Sequence, residues 1–227
     1  MGHNIPDYDW SFAHMEWGRG LSFYRHRLKQ LGLDEREGLF LDAGCGVGQW
    51  MDAISSFGKE VVGVDVRASR LEIASIFLHR NTNLIRASMD ALPFRDNAFD
   101  TIVCYGVIMF ADVEKAPREL GRVSKTGGLL YVCWNAIGWS LHLLFSCRHG
   151  LRIKIQAVQT ILKTLRNKKG TTYFSRRRMV DILKGAGFKV LALDGEGLVT
   201  FGVKPRPVYK KAFLGFDNVL EALTVRV

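Results

Sequence analysis

Cysteine is scarce in this 227-residue sequence, and no two of its four cysteines form a CxxC pair. Cys45, Cys104, Cys133 and Cys147 stand far apart, and the six histidines do not complete a ligand set at zinc spacing. No metal site and no disulfide framework is expected, only reduced thiols. Long apolar runs are missing too: charge or glycine interrupts each one before the roughly 20 residues that cross a bilayer. The opening residues, Met1-Gly2-His3-Asn4-Ile5-Pro6-Asp7, show neither a basic n-region nor an apolar h-region, and Pro6 stands where a myristoylation signal has Ser or Thr. These absences point to a cytoplasmic chain. Its 48% hydrophobic content supplies a core for one domain, and the length is short for two.

Acid is absent from one whole segment. Between Arg148 and Arg178 there is no Asp or Glu, whereas Arg148, Arg152, Lys154, Lys163, Arg166, Lys168, Lys169, Arg176, Arg177 and Arg178 supply ten cations. Setting those ten aside leaves 22 of the 32 cations against 22 acids, so the net charge of +10 resides in this stretch alone.

Elsewhere the pattern alternates between two periods. Residues 8–32 have helical spacing, divided near Gly18 and Gly20. Short apolar runs at 39–41, 61–64, 83–87, 99–104, 129–134 and 188–193 have the character of buried strands. Helical stretches lie between them, among them 50–57, Ser69 to His79, 113–123 and one capped by Ser175. Such alternation predicts βαβ units and a mostly parallel sheet with helices on both faces, an α/β fold. Residues 137–168 have the pattern of a helical insertion after the fifth strand. The tail leaves two options: Leu198–Val203 pairs with the sixth strand in a hairpin, or Ala222–Val227 is the last strand.

The richest motif is Asp42-Ala43-Gly44-Cys45-Gly46-Val47-Gly48, a strand running into glycines at every second position and then into a helix. Glycine here permits positive φ and lets a ligand lie against the backbone, at the sheet edge where open α/β folds bind ligands. Spacing narrows the ligand. A dinucleotide loop wants glycine at position 49, which is Gln49, and a phosphate-binding loop wants Gly-Lys-Ser/Thr, which Gly48-Gln49-Trp50 does not provide. A plain tight turn would also use such glycines. Three further features argue against coincidence: Asp65 ends the second strand, Ser88-Met89-Asp90-Ala91-Leu92-Pro93-Phe94 follows the third, and the fourth empties into Tyr105-Gly106.

Together these residues resemble the class I S-adenosylmethionine-dependent methyltransferases, in the small-molecule branch with a D-x-G-C-G-x-G loop; the likeness covers about residues 39–135. The resemblance implies a Rossmann-like, mostly parallel seven-stranded sheet. It divides the single domain into an N-terminal helical lid (1–37), a cofactor-binding core (38–135), a basic helical insertion (136–174) and a C-terminal part of the core (175–227). It implies that Asp42, Gly44, Gly46 and Gly48 hold the methionine end of S-adenosylmethionine, with S-adenosylhomocysteine as product. Asp65 would take the ribose hydroxyls, Val66 would pack on the adenine, Asp90 and the Ala91 amide would read its edge, and Tyr105 would lie beside the sulfonium. No metal is implied. Cys45 and Cys104 sit beside this site by geometry rather than for catalysis. One departure stands out: many relatives carry histidines after the fourth strand, where this chain has Gly106-Val107-Ile108-Met109-Phe110.

Methyl transfer is an in-line displacement in which positioning supplies much of the rate. A neutral hydroxyl gains from a base, whereas an anionic oxygen needs none. His14 and Tyr24, on the first helices, are the candidate catalytic groups. Arg25, Tyr173, Arg176, Arg177 and Arg178 are the candidate acceptor ligands, since arginine at a helix N-terminus favours an oxyanion. The expected reaction is O-methylation of a small or lipid-linked anionic metabolite bearing phosphate, phosphonate or carboxylate. The alternatives are an RNA methyltransferase using the basic segment and a non-catalytic S-adenosylmethionine binder. Against nucleic acid, the chain has no appended RNA-binding module and no Asn/Asp-Pro-Pro-Tyr/Phe-like run. Leu151, Ile155, Val158, Leu162 and Leu165 among cations form a basic amphipathic helix, which leaves open a lid, a solvated face or a peripheral membrane contact. The oligomeric state is not legible.

Overall fold

Apolar segments bounded by glycine and charge line up as parallel strands, and those at the centre of the sheet are buried on both faces. The computed structural model describes residues 5–78, 83–146, 150–165, 173–201 and 204–227. The parallel strands are β1 (Leu39–Ala43), β2 (Glu60–Asp65), β3 (Asn83–Arg86), β4 (Phe99–Tyr105) and β5 (Ser124–Asn135). With β6 (Phe188–Gly195) and β9 (Val219–Arg226) they form one seven-stranded sheet in the order β3-β2-β1-β4-β5-β9-β6, and β9 is antiparallel to both neighbours. This is the Rossmann-like α/β fold expected.

The sheet is covered on both faces. One face packs on α5 (Lys115–Val123) and α8 (Arg176–Gly185) through Leu120, Met179 and Leu183. The other packs on α2 (Leu21–Gln30), α3 (Gln49–Ser55) and α4 (Ala68–Phe77) through Leu28, Trp50, Ile54 and Ala74. Helix α1 (Asp7–Gly18) lies outside α4. Gly18 and Gly20 do divide α1 from α2, and Gly20 adopts φ +78° at the start of α2. After β5 come α6 (Ile137–Phe145) and α7 (Leu151–Leu165), followed by α8, whose N-cap Ser175 accepts from the Arg178 amide. A hairpin of β7 (Ala212–Phe213) and β8 (Phe216–Asp217) rests on α6. Cys45, Cys104 and Cys133 are free and buried.

Two expectations need adjustment. The tail resolves in favour of the last strand, which begins at Val219 rather than Ala222 and inserts between β5 and β6; Leu198–Phe201 forms no strand. Strand β5 begins at Ser124, before the glycine pair: Phe99 pairs with Ser124 and Thr101 with Leu129, so Gly127-Gly128 sits in a bulge. His79, Cys147, Arg148, Arg166, Lys168, Lys169 and Val203 lie outside the described residues.

A buried ion pair ties the N-terminal helices to the central strands. Glu221 on β9 is fully buried, and its Oε2 accepts from Arg27 Nη2 at 2.5 Å and the Tyr131 hydroxyl at 2.9 Å. Its Oε1 accepts from the amides of Gly197 at 3.0 Å and Val199 at 2.9 Å. Removing one partner strands a buried charge. Glu221→Ala is expected to lower the unfolding free energy by about 3–5 kcal/mol in urea denaturation; a loss below about 1 kcal/mol, the range of an exposed pair, would contradict this account of the core.

Candidate functional site

The loop from β1 to α3 takes its shape from backbone positions closed to a side chain. Gly44, Gly46 and Gly48 all have positive φ, at 81°, 54° and 88°. A Cβ on Gly44 would come within 2.6 Å of Val107, and one on Gly48 within 2.8 Å of Leu78. Gly46 donates its N–H to Asp65 Oδ2 at 3.0 Å, which ties the loop to the end of β2. Asp65 Oδ1 accepts from the Arg67 amide at 2.8 Å.

Beside this loop, at the carboxyl ends of the strands, a cavity of about 430 Å³ opens. Gly44, Asp65, Val66, Ser88, Met89 and Asp90 line it, together with Phe110 and Tyr8. Val66 is 61% exposed and Phe110 is 64% exposed, unusual for large apolar side chains and suited to holding a flat heterocycle. Asp42 lies behind the loop, 1% exposed, and its Oδ2 has no hydrogen-bond partner. Burial, with the nearby Asp65 charge adding to it, pushes the Asp42 carboxyl up to about 8. Burial likewise pushes up the thiols of Cys45 and Cys104, so neither supplies a thiolate.

Helix α1 covers the loop. Phe12 lies 3.3 Å from where a Gly46 Cβ would stand, and Trp17 Nε1 donates to the Val47 carbonyl at 3.1 Å. The helix is fastened by fully buried Asp9, which accepts from Arg67 Nη2 at 2.8 Å, Ser69 Oγ at 2.6 Å and Arg70 Nε at 3.2 Å. Burial alone would raise the Asp9 carboxyl; hydrogen bonds from Ser69, Arg70 and Arg67 outweigh it and hold the group below the usual range.

Of the sequence-derived positions, the structure brings Gly44, Asp65, Val66 and Asp90 into one cavity wall. Gly46 and Gly48 shape the loop from behind, against α1 and α4. Ala91 is a correction: its amide donates to the Ser88 carbonyl at 3.1 Å, and the wall there is formed by Ser88 and Met89 instead. Tyr105 is a second. Strand alternation turns it to the opposite sheet face, where its ring stands 5.0 Å from Trp50 and its hydroxyl donates to Glu196.

The candidate catalytic pair also moves. Tyr24 is buried, its hydroxyl donates to Glu16 Oε2 at 2.7 Å, and burial followed by the Glu16 charge pushes its pKa up, so it cannot serve as a base. His14 is exposed, 6.5 Å from the Trp10 ring, and is not in the cavity wall. Arg25 lies over the Phe57 ring, away from the cavity. Tyr173 is buried and accepts from Ser140 Oγ at 2.6 Å. Arg176 is already neutralised by Asp217, at 2.9 Å, and Asp194, at 3.4 Å. Arg178 stacks on Phe174, and exposed Arg177 is not in the cavity wall either. The three-arginine run is therefore not a free oxyanion site.

Sequence reasoning missed Tyr8, Phe110 and, above all, Glu196. Glu196 is 2% exposed and accepts from the Tyr105 hydroxyl, and burial pushes its carboxyl up to about 7. Arg19, between α1 and α2, reaches the same cluster: Nη1 donates to the Tyr105 hydroxyl at 3.4 Å and Nη2 to the Tyr209 hydroxyl at 3.1 Å. Nothing in the local pattern marks Glu196, because its partners lie on remote segments.

Known proteins agree with this geometry. Residues 41–132 match a family described as a methyltransferase domain. Solved S-adenosylmethionine-dependent methyltransferases, one of them in complex with that donor, share the fold of this chain. The chain is 39% identical over 93 residues to the uncharacterized methyltransferase YcgJ of Bacillus subtilis, covering 39% of this chain and 37% of that protein. It is 34% identical over 126 residues to a demethylmenaquinone methyltransferase of Staphylococcus aureus, covering 50% of this chain and 51% of that protein. The chain thus spans about half the length, or less, of these curated relatives. A structure of an S-adenosylmethionine-dependent methyltransferase from Methanosarcina mazei superposes with a TM-score of 0.59 at 18% identity, covering 84% of this chain and 93% of that one, which shows the shared fold.

The residues present fit that donor: a carboxylate at the end of β2, a glycine loop without side chains, exposed apolar groups for the adenine and an unpartnered buried carboxyl near the methionine end. Two outcomes are expected. Asp65→Ala should weaken S-adenosylmethionine binding by more than about tenfold while the far-UV spectrum stays unchanged, since a carboxylate accepting two ribose hydroxyls is lost; unchanged affinity would remove Asp65 from the ribose. Asp42 is protonated at pH 7 in the unliganded protein, and a cation placed beside it favours the ionised form. Binding at pH 7 should therefore release a proton, with affinity rising as pH approaches about 8 and levelling above it. Titration calorimetry in buffers of different ionisation heat reads this directly; proton uptake, or none exchanged, would contradict it.

Proposed function

We propose that this chain is a methyltransferase that transfers the methyl group of S-adenosylmethionine to an oxygen of an anionic small-molecule or lipid-linked acceptor carrying phosphate, phosphonate or carboxylate. The observation that carries this reading is the placement of Arg19. It donates to the Tyr105 hydroxyl, on the sheet face opposite the cofactor cavity, and lines a second cavity, of about 560 Å³, between α2 and residues 206–208. Arg27, His26 and Arg206 share that wall, which includes no acidic side chain among the described residues. Arg27 is committed to Glu221, whereas Arg19 has Glu16 at 3.9 Å and meets Glu196 through the shared Tyr105 hydroxyl, which leaves Arg19 donors to offer an acceptor.

The bound cofactor supplies a methyl group already activated by its sulfonium. The chain's own part is to hold the acceptor oxygen aligned and to exclude water, which for good positioning is worth on the order of 7–11 kcal/mol. Of the groups first considered as bases, the Tyr24 hydroxyl is given to Glu16 and His14 lines neither cavity; Glu196 already accepts from Tyr105. An acceptor oxygen that brings its own negative charge needs no proton removed, which suits such a site. The demethylmenaquinone methyltransferases among the relatives support a small-molecule acceptor. The expectation of an N-terminal helical lid is supported by the hold of α1 over Gly46 and Val47, fastened through Asp9, Trp17 and Glu16.

The test is an acceptor screen weighted to phosphates, phosphonates and carboxylates, followed by Arg19→Met. That variant should raise the acceptor KM by more than about tenfold and leave the S-adenosylmethionine Kd nearly unchanged. An equal effect on both, or methyl transfer confined to RNA or to neutral amines, would overturn the reading.

A further inference from the structure

Helix α7 is built inside out. Its fifteen residues, Leu151–Leu165, contain no acid. Leu151, Ile155, Val158 and Leu162 recur at intervals of four, three and four, which places them on one face. That face is turned to water, at 74%, 48%, 40% and 43% exposure. The side turned inward carries Ala157, 3% exposed, with Lys154, Ile161, Thr160 and Thr164 half-buried around it; the two threonine hydroxyls bond back to the carbonyls of Gln156 and Thr160. A surface helix of a water-soluble body places its large aliphatic groups inward; α7 turns in Ile161 with its threonines and leaves the four groups of that stripe in water.

The inversion does not stop at the helix. Phe145, at the end of α6, is 61% exposed, and its ring stacks 6.3 Å from Phe213 on the β7–β8 hairpin. Leu214 in the turn of that hairpin and Phe216 at the start of β8 are 64% and 50% exposed. α7 packs on α6 and so does the hairpin, so these exposed groups belong to one appendage beyond the sheet.

Charge identifies what covers it. Arg152 and Lys163 flank the apolar stripe, Lys154 lies on the same helix, and the sequence from 148 to 178 has no Asp or Glu at all. A second copy of the chain would bring an identical cationic surface against this one. An acidic bilayer would instead pair the cations with lipid phosphates while taking the aliphatic stripe into the boundary between headgroups and acyl chains. We propose that α7 is a peripheral docking helix for an anionic lipid surface. This does not depend on the identity of the methyl acceptor.

The experiment is co-sedimentation of the full chain with phosphatidylcholine vesicles, with and without phosphatidylglycerol. Binding is expected to the anionic vesicles, weak on phosphatidylcholine alone, and falling as salt is added. The combined variant Ile155→Ser, Val158→Ser and Leu162→Ser should lower partitioning by more than about tenfold. Its thermal melting should match that of the parent, because the replaced groups face water. Arg152→Gln with Lys163→Gln should abolish the preference for phosphatidylglycerol. No vesicle binding, equal binding to both compositions, or serine variants that bind as the parent does would each overturn the proposal. So would a dimer in sedimentation velocity that the serine substitutions dissolve.

Discussion

The site depends on a stretch of backbone that no side chain can enter. Gly44 and Gly48 must hold left-handed conformations, and each is pressed on the side where a Cβ would stand, by Val107 and by Leu78. This lets the chain turn sharply at the end of β1 and bring the Gly46 amide to Asp65 on β2. Two carboxyls, Asp42 and Asp65, are thereby held at adjacent strand ends with little water around them. The loop meets the steric requirement and the carboxyls the electrostatic one; together they make a place for a cationic, sugar-bearing cofactor.

A second buried network sets where the acceptor side can form. Arg27, Glu221 and Tyr131 join α2 to the central strands, while Arg19, Tyr105, Tyr209 and Glu196 link the α1–α2 turn to the end of β4 and to the tail. The N-terminal helices are thus bound to the sheet by charge as well as by apolar packing. Leaving any one partner alone in such surroundings is costly, which makes the arrangement all-or-none. Arg19 and Arg27 are the members of that network that also line a cavity.

What was legible in the sequence was what local physics dictates. Glycines at alternate positions after an apolar strand, an acid at the end of the next strand and apolar runs of strand length all answer to backbone geometry within a few residues. The parallel sheet and the placement of Gly44, Asp65 and Asp90 followed from them, and the family resemblance added Val66. What was not legible answers to contacts across the chain. Arg176 looked available until the fold brought Asp194 and Asp217 to it. Tyr24 looked reactive until Glu16 took its hydroxyl. Ala91 gave way to Ser88 and Met89 because a turn consumed its amide, and Tyr105 changed faces by the period-two alternation of β4. Glu196 carries no motif and is defined only by its burial.

The central claim is that the loop and its two carboxyls select S-adenosylmethionine. Titration calorimetry of the unmodified protein with S-adenosylmethionine, S-adenosylhomocysteine and NAD tests it most directly. Micromolar binding of the first two and none of NAD is the predicted result. Binding of NAD, or no binding of either sulfur compound, would contradict it.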